Sequence, residues 1–250
     1  MLPQFLIVSV ERGGTTSLYR YLTQHPRVAP AFRKEVDFFD FNWTRGLDWY
    51  RAHFPLRRPG ARARITGEAT PYYLYHPQVP ARIARTLPDV RLVALLRNPV
   101  ERAFSHYQMN VRQGKETLSF AEAIEGEGER VRAEWARLEQ GEIEFSEAHY
   151  KFGYLARGIY VDRLKAWHKH FAPERLLVVR SEDLYADPAG TTARVTEFLG
   201  LPPAPLRDAK AYNQKPYSPI DTGLRRRLAD YFAPHNQRLY EYLGRSFGWE

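Results

Sequence analysis

The stretch that decides the fold is FLIVSVERGGTTSLYRYL, which runs from Phe5 to Leu22. Its first part, Phe5 to Val10, is almost entirely apolar, as expected for a strand that is buried on both faces of a parallel sheet. Gly13 and Gly14 allow a sharp turn and a close approach of the backbone to a ligand. Helical spacing of apolar residues begins after Thr15. The stretch therefore predicts a buried strand, a glycine turn and a helix.

The turn between this strand and this helix is predicted to bind an anion. The first N–H groups of a helix have no partner within the helix, and the helix dipole adds a partial positive charge at the same end. Arg12 supplies a cation before the glycines, and hydroxyl groups follow them at Thr15, Thr16 and Ser17. Phosphate or sulfate suits such a site. An ordinary strand–turn–helix that binds no ligand is the alternative.

The order of the other segments predicts an α/β fold. Apolar strand-like runs at Val90–Leu96 and Leu176–Val179 alternate with helical segments, which is typical of a P-loop-like parallel β-sheet flanked by helices on both faces. We expect one domain over residues 1–250. Predicted helices later in the chain are Phe120–Gln140, weakened by two glycines, Tyr154–Phe171, Pro188–Leu199, Thr222–Phe232 and Pro234–Leu243, with a long loop at Ala204–Ile220.

Composition excludes several classes of site. The 250 residues contain no cysteine, so disulfides, thiolate metal sites and a cysteine nucleophile are ruled out. The eight histidines show no metal-ligand spacing, and we expect no metal. No apolar run approaches the roughly 20 residues of a membrane span, and the start of the chain lacks a secretory pattern. We therefore expect a cytoplasmic protein without a membrane span.

The charge balance favours anionic ligands. The formal net charge is +8, which suits nucleotides or acidic glycans. The run Arg225-Arg226-Arg227 is typical of a solvated helix face, and we expect no nucleic-acid partner. The sequence carries no feature that fixes an oligomeric state.

A second anion site is predicted where the strand Val90–Leu96 ends. Arg97 follows that strand directly, and Ser105 lies about two turns into the helix that Pro99 begins. An Arg fork beside a hydroxyl is a good receptor for phosphate. An Arg paired with a carboxylate and a surface Ser is the alternative, but both carboxyl strand ends are expected at one edge of the sheet.

The two anion motifs together resemble those of sulfotransferases that use 3′-phosphoadenosine-5′-phosphosulfate (PAPS). The first motif fails the Walker A pattern, because no Lys follows Gly14. Arg12-Gly13-Gly14-Thr15-Thr16 instead resembles the 5′-phosphosulfate loop of these enzymes. Arg97 and Ser105 keep the spacing with which the family grips the 3′-phosphate. The resemblance implies PAPS as donor, 3′-phosphoadenosine 5′-phosphate (PAP) as product, and no metal.

A third motif resembles the heparan-sulfate branch of that family. Lys34-Glu35-Val36-Asp37-Phe38-Phe39 is similar to its Lys-Glu-x-x-Phe-Phe segment, in which the Glu is the general base for the acceptor hydroxyl. The resemblance implies this role for Glu35 and a lid contact with the nucleotide for Lys215. A solvated Glu35 paired with Lys34 is the alternative. The similarity spans nearly the whole chain and is typical of a bacterial-type, single-domain member.

Three of the positions at which this chain departs from the branch bear on acceptor binding and proton transfer. Asp37 stands where the branch often has His, and Ala69 where it often has Lys, so positive charge is lost on the acceptor side. Arg12 stands where the branch usually has Lys. Because Arg holds its proton too tightly to act as an acid, we expect Arg12 to serve as a fixed charge on the leaving phosphate.

The function implied by the resemblance is sulfuryl transfer to an acceptor hydroxyl, with Glu35 and Arg12 as catalytic residues. The acceptor class stays open among sugars, lipid alcohols, polyketide hydroxyls and small phenols. Two other functions remain at this point. One is a P-loop nucleotide kinase, which the missing Lys after Gly14 disfavours. The other is a non-catalytic binder of anions or nucleotides, whose affinity would depend steeply on salt.

Overall fold

The computed structural model describes residues 1–56, 64–210, 212 and 218–249. The chain divides into two compact units, one formed by residues 1–96 with 168–214 and the other by residues 97–167 with 215–250. The expectation of one domain over residues 1–250 stays a prediction.

Five strands, eleven α-helices and four short 3₁₀ helices make up the regular structure of the described residues. The strands are β1 (Phe5–Val8), β2 (Val28–Pro30), β3 (Ile65–Thr70), β4 (Arg91–Leu96) and β5 (Leu176–Arg180). The helices are α1 (Thr15–Leu22), α2 (Gly46–Arg51), α3 (Val79–Thr86), α4 (Pro99–Arg112), α5 (Phe120–Glu125), α6 (Glu127–Gln140), α7 (Glu147–Phe152), α8 (Tyr160–His168), α9 (Ser181–Ala186), α10 (Pro188–Phe198) and α11 (Thr222–Leu243).

The first unit is built on one parallel sheet, as predicted. Its strand order is β2-β3-β1-β4-β5, and every neighbouring pair is parallel. All residues of β1 are fully buried, because β1 lies in the centre of the sheet. The carboxyl ends of all strands meet at one edge, which is where ligands bind in open α/β sheets. The glycine turn after β1 therefore lies at the ligand-binding edge.

The two faces of this sheet carry different side chains, and helices pack against both. One face carries Phe5 and Ile7 of β1, which pack with Leu18 of α1 and with apolar residues of α9 and α10 in one buried cluster. The opposite face carries Glu68 of β3, whose carboxylate accepts a hydrogen bond from Tyr50 of α2. Helices thus lie against both faces, and the predicted α/β class is confirmed.

The second unit is helical and contains α4 to α7, nearly all of α8, and α11. Asn98 caps α4, because its side chain accepts the N–H groups of Val100 (3.0 Å) and Glu101 (3.3 Å). A buried cluster joins α4, α5 and α11 through Phe104, Phe120 and other apolar side chains. The stretch Phe120–Gln140, predicted as helical but weakened by two glycines, forms two helices, since α5 ends and α6 begins on either side of Gly126.

Two predictions about helices in this unit were wrong. The helix predicted from Tyr154 begins only at Tyr160, because the buried Glu127 carboxylate takes the N–H groups of Leu155 and Ala156 at 2.6 and 2.9 Å, and a short 3₁₀ turn follows. The last two predicted helices are one, α11, with Pro234 inside it.

Packing across Pro234 explains why α11 continues. An interior proline costs about 3 kcal/mol in a helix. Phe232 and Asn236 are buried on either side of it, four residues apart on one helix face, and the Asn236 amide donates to the Trp249 carbonyl at 3.0 Å. Burial along this continuous face outweighs the loss of one backbone hydrogen bond.

Candidate active site

The glycine turn after β1 has a tightly defined backbone. Arg12 and Gly14 both lie in the left-handed region, with φ of 69° and 94°. A non-glycine residue pays about 1–2 kcal/mol for that conformation, so the fold holds Arg12 there against its preference. The Gly13 N–H donates to the Val10 carbonyl at 3.0 Å, and a Cβ on Gly13 would lie 2.6 Å from Val10 Cγ2. Gly13 therefore closes the turn with an internal hydrogen bond.

Residues after β5 hold this turn in place, and the sequence analysis did not identify them. The Ser181 hydroxyl donates to the Gly13 carbonyl at 2.6 Å, and Ser181 is fully buried. A Cβ on Gly14 would lie 2.9 Å from the Tyr185 hydroxyl oxygen. The available signal was the polar stretch that begins at Ser181, directly after the apolar run of β5 at the same sheet edge.

The three hydroxyl residues that open α1 have different environments. Thr15 and Ser17 are buried, whereas Thr16 is partly exposed. The Ser17 hydroxyl accepts the N–H of Tyr212 at 3.1 Å. Gly14 caps the helix through its backbone alone, with no side-chain cap on α1. The N–H groups of the first helical turn have no acceptor within the helix. They can therefore donate hydrogen bonds to an anion, as the predicted site requires.

A cavity of about 730 Å³ lies beside α1. Thr16 lines it from the helix, and Glu35 lines it from the loop after β2. The structure thus brings a hydroxyl of the predicted phosphosulfate loop and the predicted base to one cavity. The remaining lining comes from α1 and from the chain between β2 and Asp37: Tyr19, Arg20, Thr23, Pro30, Ala31, Phe32, Arg33, Lys34 and Asp37.

Glu35 lines this cavity, and its carboxylate is partly exposed to solvent. Its side chain is 36% exposed, and one carboxylate oxygen accepts from Lys34 Nζ at 3.1 Å. The ion pair that the sequence analysis offered as the alternative for Glu35 is therefore present. It leaves the second carboxylate oxygen for another partner, so the ion pair and a role as base are compatible.

Asp37 lines the same cavity, and its carboxyl has a raised pKa. Burial raises the pKa of Asp37 to about 7, and the negative charges of Glu35 and Glu68 act in the same direction. Arg33, 3.9 Å away, and Lys34 offset only part of this effect. Asp37 is thus a carboxyl that changes its protonation near neutral pH.

Beneath this loop lies a buried carboxylate that the sequence analysis did not assign to the site. Glu68 is 1% exposed, and burial raises its pKa. Three hydroxyl groups donate to it, from Tyr50 (2.8 Å), Thr70 (2.8 Å) and Tyr73 (3.0 Å). A Glu within a buried strand was itself the signal, because charged side chains are almost never fully buried unless they are paired.

The predicted 3′-phosphate residues lie in the second unit. Arg97 precedes the cap of α4, and its carbonyl accepts from the Tyr160 hydroxyl at 2.8 Å. Ser105 lies within α4 and is 1% exposed. Their spacing along the start of α4 is as predicted, and their role in binding stays a prediction. Lys215 lies outside the described residues.

Residues 2–215 match the family model of the sulfotransferase domain. The chain belongs to the sulfotransferase family. A human heparan sulfate glucosamine 3-O-sulfotransferase 6 is 32% identical over 271 residues, which cover 99% of this chain and 73% of that relative. The membrane-associated sulfotransferase kil1 of Dictyostelium discoideum is 25% identical over 314 residues, covering 100% of this chain and 67% of kil1.

A solved structure of the same family is similar along its whole length. The crystal structure of a sulfotransferase from Alicyclobacillus acidocaldarius matches with a TM-score of 0.82 at 30% identity, covering 100% of this chain and 99% of that chain. The resemblance to sulfotransferases and the heparan-sulfate branch is thereby confirmed. This sulfotransferase is an enzyme of the EC 2.8.2 type, which decides against the nucleotide kinase and the non-catalytic binder.

One further observation bears on membranes. Within the described ranges, this sulfotransferase contains no helix that combines the length and the apolar character needed to cross a bilayer.

Proposed function

We propose that this sulfotransferase moves a sulfuryl group from PAPS to an acceptor hydroxyl, with Glu35 as the general base. The observation that carries the proposal is the shared cavity, because Thr16 of the predicted donor loop and Glu35 line the same space. A base must lie within reach of both the acceptor proton and the transferring group. One cavity with both groups on its wall meets that requirement.

Sulfuryl transfer requires removal of the acceptor proton, cleavage of the bond from sulfur to the donor phosphate, and stabilisation of the charge on that phosphate. Glu35 takes the proton of the acceptor hydroxyl while the acceptor oxygen forms a bond to sulfur. The bond between sulfur and the oxygen of the 5′-phosphate breaks, and PAP leaves with the electron pair. Arg12 holds a fixed positive charge near the departing phosphate, and an arginine cannot serve as the acid at neutral pH.

Donor binding is proposed for the residues that the sequence analysis selected. Gly13 and Gly14 shape the turn, and the start of α1 from Thr15 to Ser17 presents N–H groups and hydroxyls to the 5′-phosphate. Arg97, Ser105 and Lys215 are proposed contacts of the nucleotide. Replacement of Arg97 is the most informative test among these residues. A guanidinium can bind phosphate with two charge-assisted hydrogen bonds, and alanine makes neither of them.

The acceptor is proposed to be a glycan, lipid or small-molecule alcohol. A cavity of about 730 Å³ is within the range of about 300–1,000 Å³ that encloses a drug-sized ligand. The human relative named above is a heparan sulfate glucosamine sulfotransferase, which makes an amino sugar one reasonable probe. A cytoplasmic location is part of the proposal, and cell fractionation tests it.

The donor site is tested by thermal unfolding. PAP at about 100 times its dissociation constant should stabilise the wild type by about 2.7 kcal/mol, whereas ADP with magnesium and AMP should give much less. Arg97→Ala should abolish the preference for PAP. Arg112→Ala, an exposed position at the other end of α4, is the matched control and should keep it. No preference for PAP in the wild type would refute the proposed donor.

The transfer step is tested with radiolabelled PAPS and a panel of acceptors. The panel contains O-desulfated heparan sulfate, a p-nitrophenyl glucosaminide, 2-naphthol and decanol. Glu35→Gln should lower kcat about 10²- to 10⁴-fold on any acceptor that the wild type uses, as expected for loss of a general base. Glu174→Gln, at an exposed position of the same unit, should retain activity. Full activity of Glu35→Gln would remove Glu35 from the mechanism.

A further inference from the structure

The buried Glu68 carboxylate is connected to the loop that carries Glu35. Thr70 and Tyr73 donate their hydroxyl protons to Glu68 at 2.8 and 3.0 Å. Both hydroxyl oxygens in turn accept backbone N–H groups of the loop. The Thr70 oxygen accepts from Asp37 at 3.4 Å, and the Tyr73 oxygen accepts from Phe38 at 2.8 Å.

These hydrogen bonds cover an unbroken run of backbone. The Val36 N–H bonds directly to Glu68, and the Phe39 N–H donates to the Tyr73 hydroxyl at 3.3 Å. Four consecutive N–H groups, from Val36 to Phe39, therefore end at Glu68 or at a hydroxyl that Glu68 orients. The run begins at the residue directly after Glu35. The side chains of Val36, Phe38 and Phe39 are buried, which fixes the same segment from the apolar side.

A carboxylate is the appropriate centre for this network. An ionised Glu only accepts hydrogen bonds, so each hydroxyl must point its single proton at Glu68 and its lone pairs at the loop. In a buried site such linked hydrogen bonds reinforce one another. The direction of all the bonds is thus set by one buried side chain of β3.

We propose that Glu68 is a positioning residue for sulfuryl transfer. Through Thr70 and Tyr73 it fixes the backbone from Val36 to Phe39, and this holds the Glu35 carboxylate at its place in the cavity. The inference rests on the proposed role of Glu35 as base. A misplacement of a catalytic group by about 1 Å is enough to cost about 100-fold in rate.

The chain offers a matched pair of tyrosines for the test. Tyr50 and Tyr73 are both fully buried, and both donate to the same Glu68 oxygen, at 2.8 and 3.0 Å. Only the Tyr73 hydroxyl accepts N–H groups of the loop in the bonds that define the network. Tyr73→Phe and Tyr50→Phe therefore remove equivalent bonds to Glu68 but differ in what they do to the loop.

The first measurement compares kcat and both KM values of these variants on the glucosaminide or the most active acceptor of the panel. Tyr73→Phe should lower kcat about 10- to 100-fold and leave the KM for PAPS unchanged, whereas Tyr50→Phe should stay within about threefold. Thr70→Val should lower kcat about as much as Tyr73→Phe does. Thr70→Ser, which keeps the hydroxyl, should have a kcat close to that of the wild type. Equal losses of kcat in the two tyrosine variants would overturn the proposal.

A double-mutant cycle separates this proposal from that for Glu35. If Tyr73 acts through Glu35, adding Tyr73→Phe to Glu35→Gln should lower kcat no further. Additive losses would refute positioning by Glu68 while leaving Glu35 as the base. Full activity of Glu35→Gln alone would instead refute the proposed function on which the inference rests.

Hydrogen exchange supplies a readout that needs no acceptor. The amides from Val36 to Phe39 should lose protection in Tyr73→Phe and keep most of it in Tyr50→Phe. Unchanged protection of these amides in Tyr73→Phe would contradict the network even if no acceptor of the panel were sulfated.

Discussion

The Asp37 carboxyl makes the stability of this sulfotransferase depend on pH in a direction opposite to that of most acidic groups. Its pKa is raised from 3.8 to about 7 by burial and by the charges of Glu35 and Glu68. The folded state therefore holds a proton that the unfolded state has released between about pH 4 and pH 7. The stabilising effect of that proton is fully present below pH 4 and is lost as the pH rises through about 7.

The change from 3.8 to about 7 is 3.2 pKa units. At about 1.36 kcal/mol per unit, ionisation of Asp37 lowers the free energy of unfolding by about 4 kcal/mol at pH 8. Asp37→Asn keeps the side-chain shape and cannot ionise. The backbone of Asp37 has φ of 57°, a left-handed conformation that asparagine tolerates well. The variant should therefore match the wild type at pH 4 and exceed it by up to about 4 kcal/mol at pH 8.

Urea unfolding of both proteins at several values between pH 4 and pH 8 measures this difference. Other titrating groups act in both proteins, so their effects largely cancel in the comparison, although Asp40 loses a repulsive neighbour in the variant. Asp48→Asn, at a side chain that is 95% exposed, is the control and should show no such slope. A difference between Asp37→Asn and wild type that stays within about 0.5 kcal/mol at every pH would refute the reasoning.

Two further predictions concern the backbone. Gly13→Ala places a Cβ 2.6 Å from Val10 Cγ2 and should cost about 1–3 kcal/mol in urea unfolding and abolish stabilisation by PAP. Gly128→Ala in α6 is the control, because a Cβ there would meet the flexible end of Arg132 at an ordinary contact distance of 3.7 Å. It should instead stabilise by about 1 kcal/mol, and a loss of stability in this control would contradict the assignment of the Gly13→Ala effect to the local clash. Pro234→Ala in α11 should raise the free energy of unfolding by up to about 3 kcal/mol, and a decrease would show that the proline is needed.

The parts of the fold that were predictable are those fixed by local pattern. The run from Phe5 to Leu22 specifies strand, turn and helix, because a buried strand and a glycine turn have strong compositional signals. α11 was not predictable in the same way. A proline is a strong local signal for a helix end, and only the burial of Phe232 and Asn236 in the folded chain overrides it.

In the candidate site, too, short motifs were predictable from the sequence and contacts between distant residues were not. Glu35 and the glycine turn were found from short motifs, and the structure adds that Glu35 shares a cavity with Thr16. The network around Glu68 joins residues that are up to 35 positions apart in the chain, as Phe38 and Tyr73 are. Spacing along a sequence carries no information about which distant hydroxyl will face a given N–H, so this part needed the folded structure.

The hydrogen bond between Ser181 and Gly13 has a consequence for biosynthesis. The two residues are 168 positions apart, and β5, which precedes Ser181, pairs with β4 only after the intervening helical segment has been made. A ribosome-bound chain that stops before Ser181 lacks this contact, although it already contains the complete glycine turn. The glycine turn therefore gains this contact only late in synthesis, when nearly three quarters of the 250 residues have been translated.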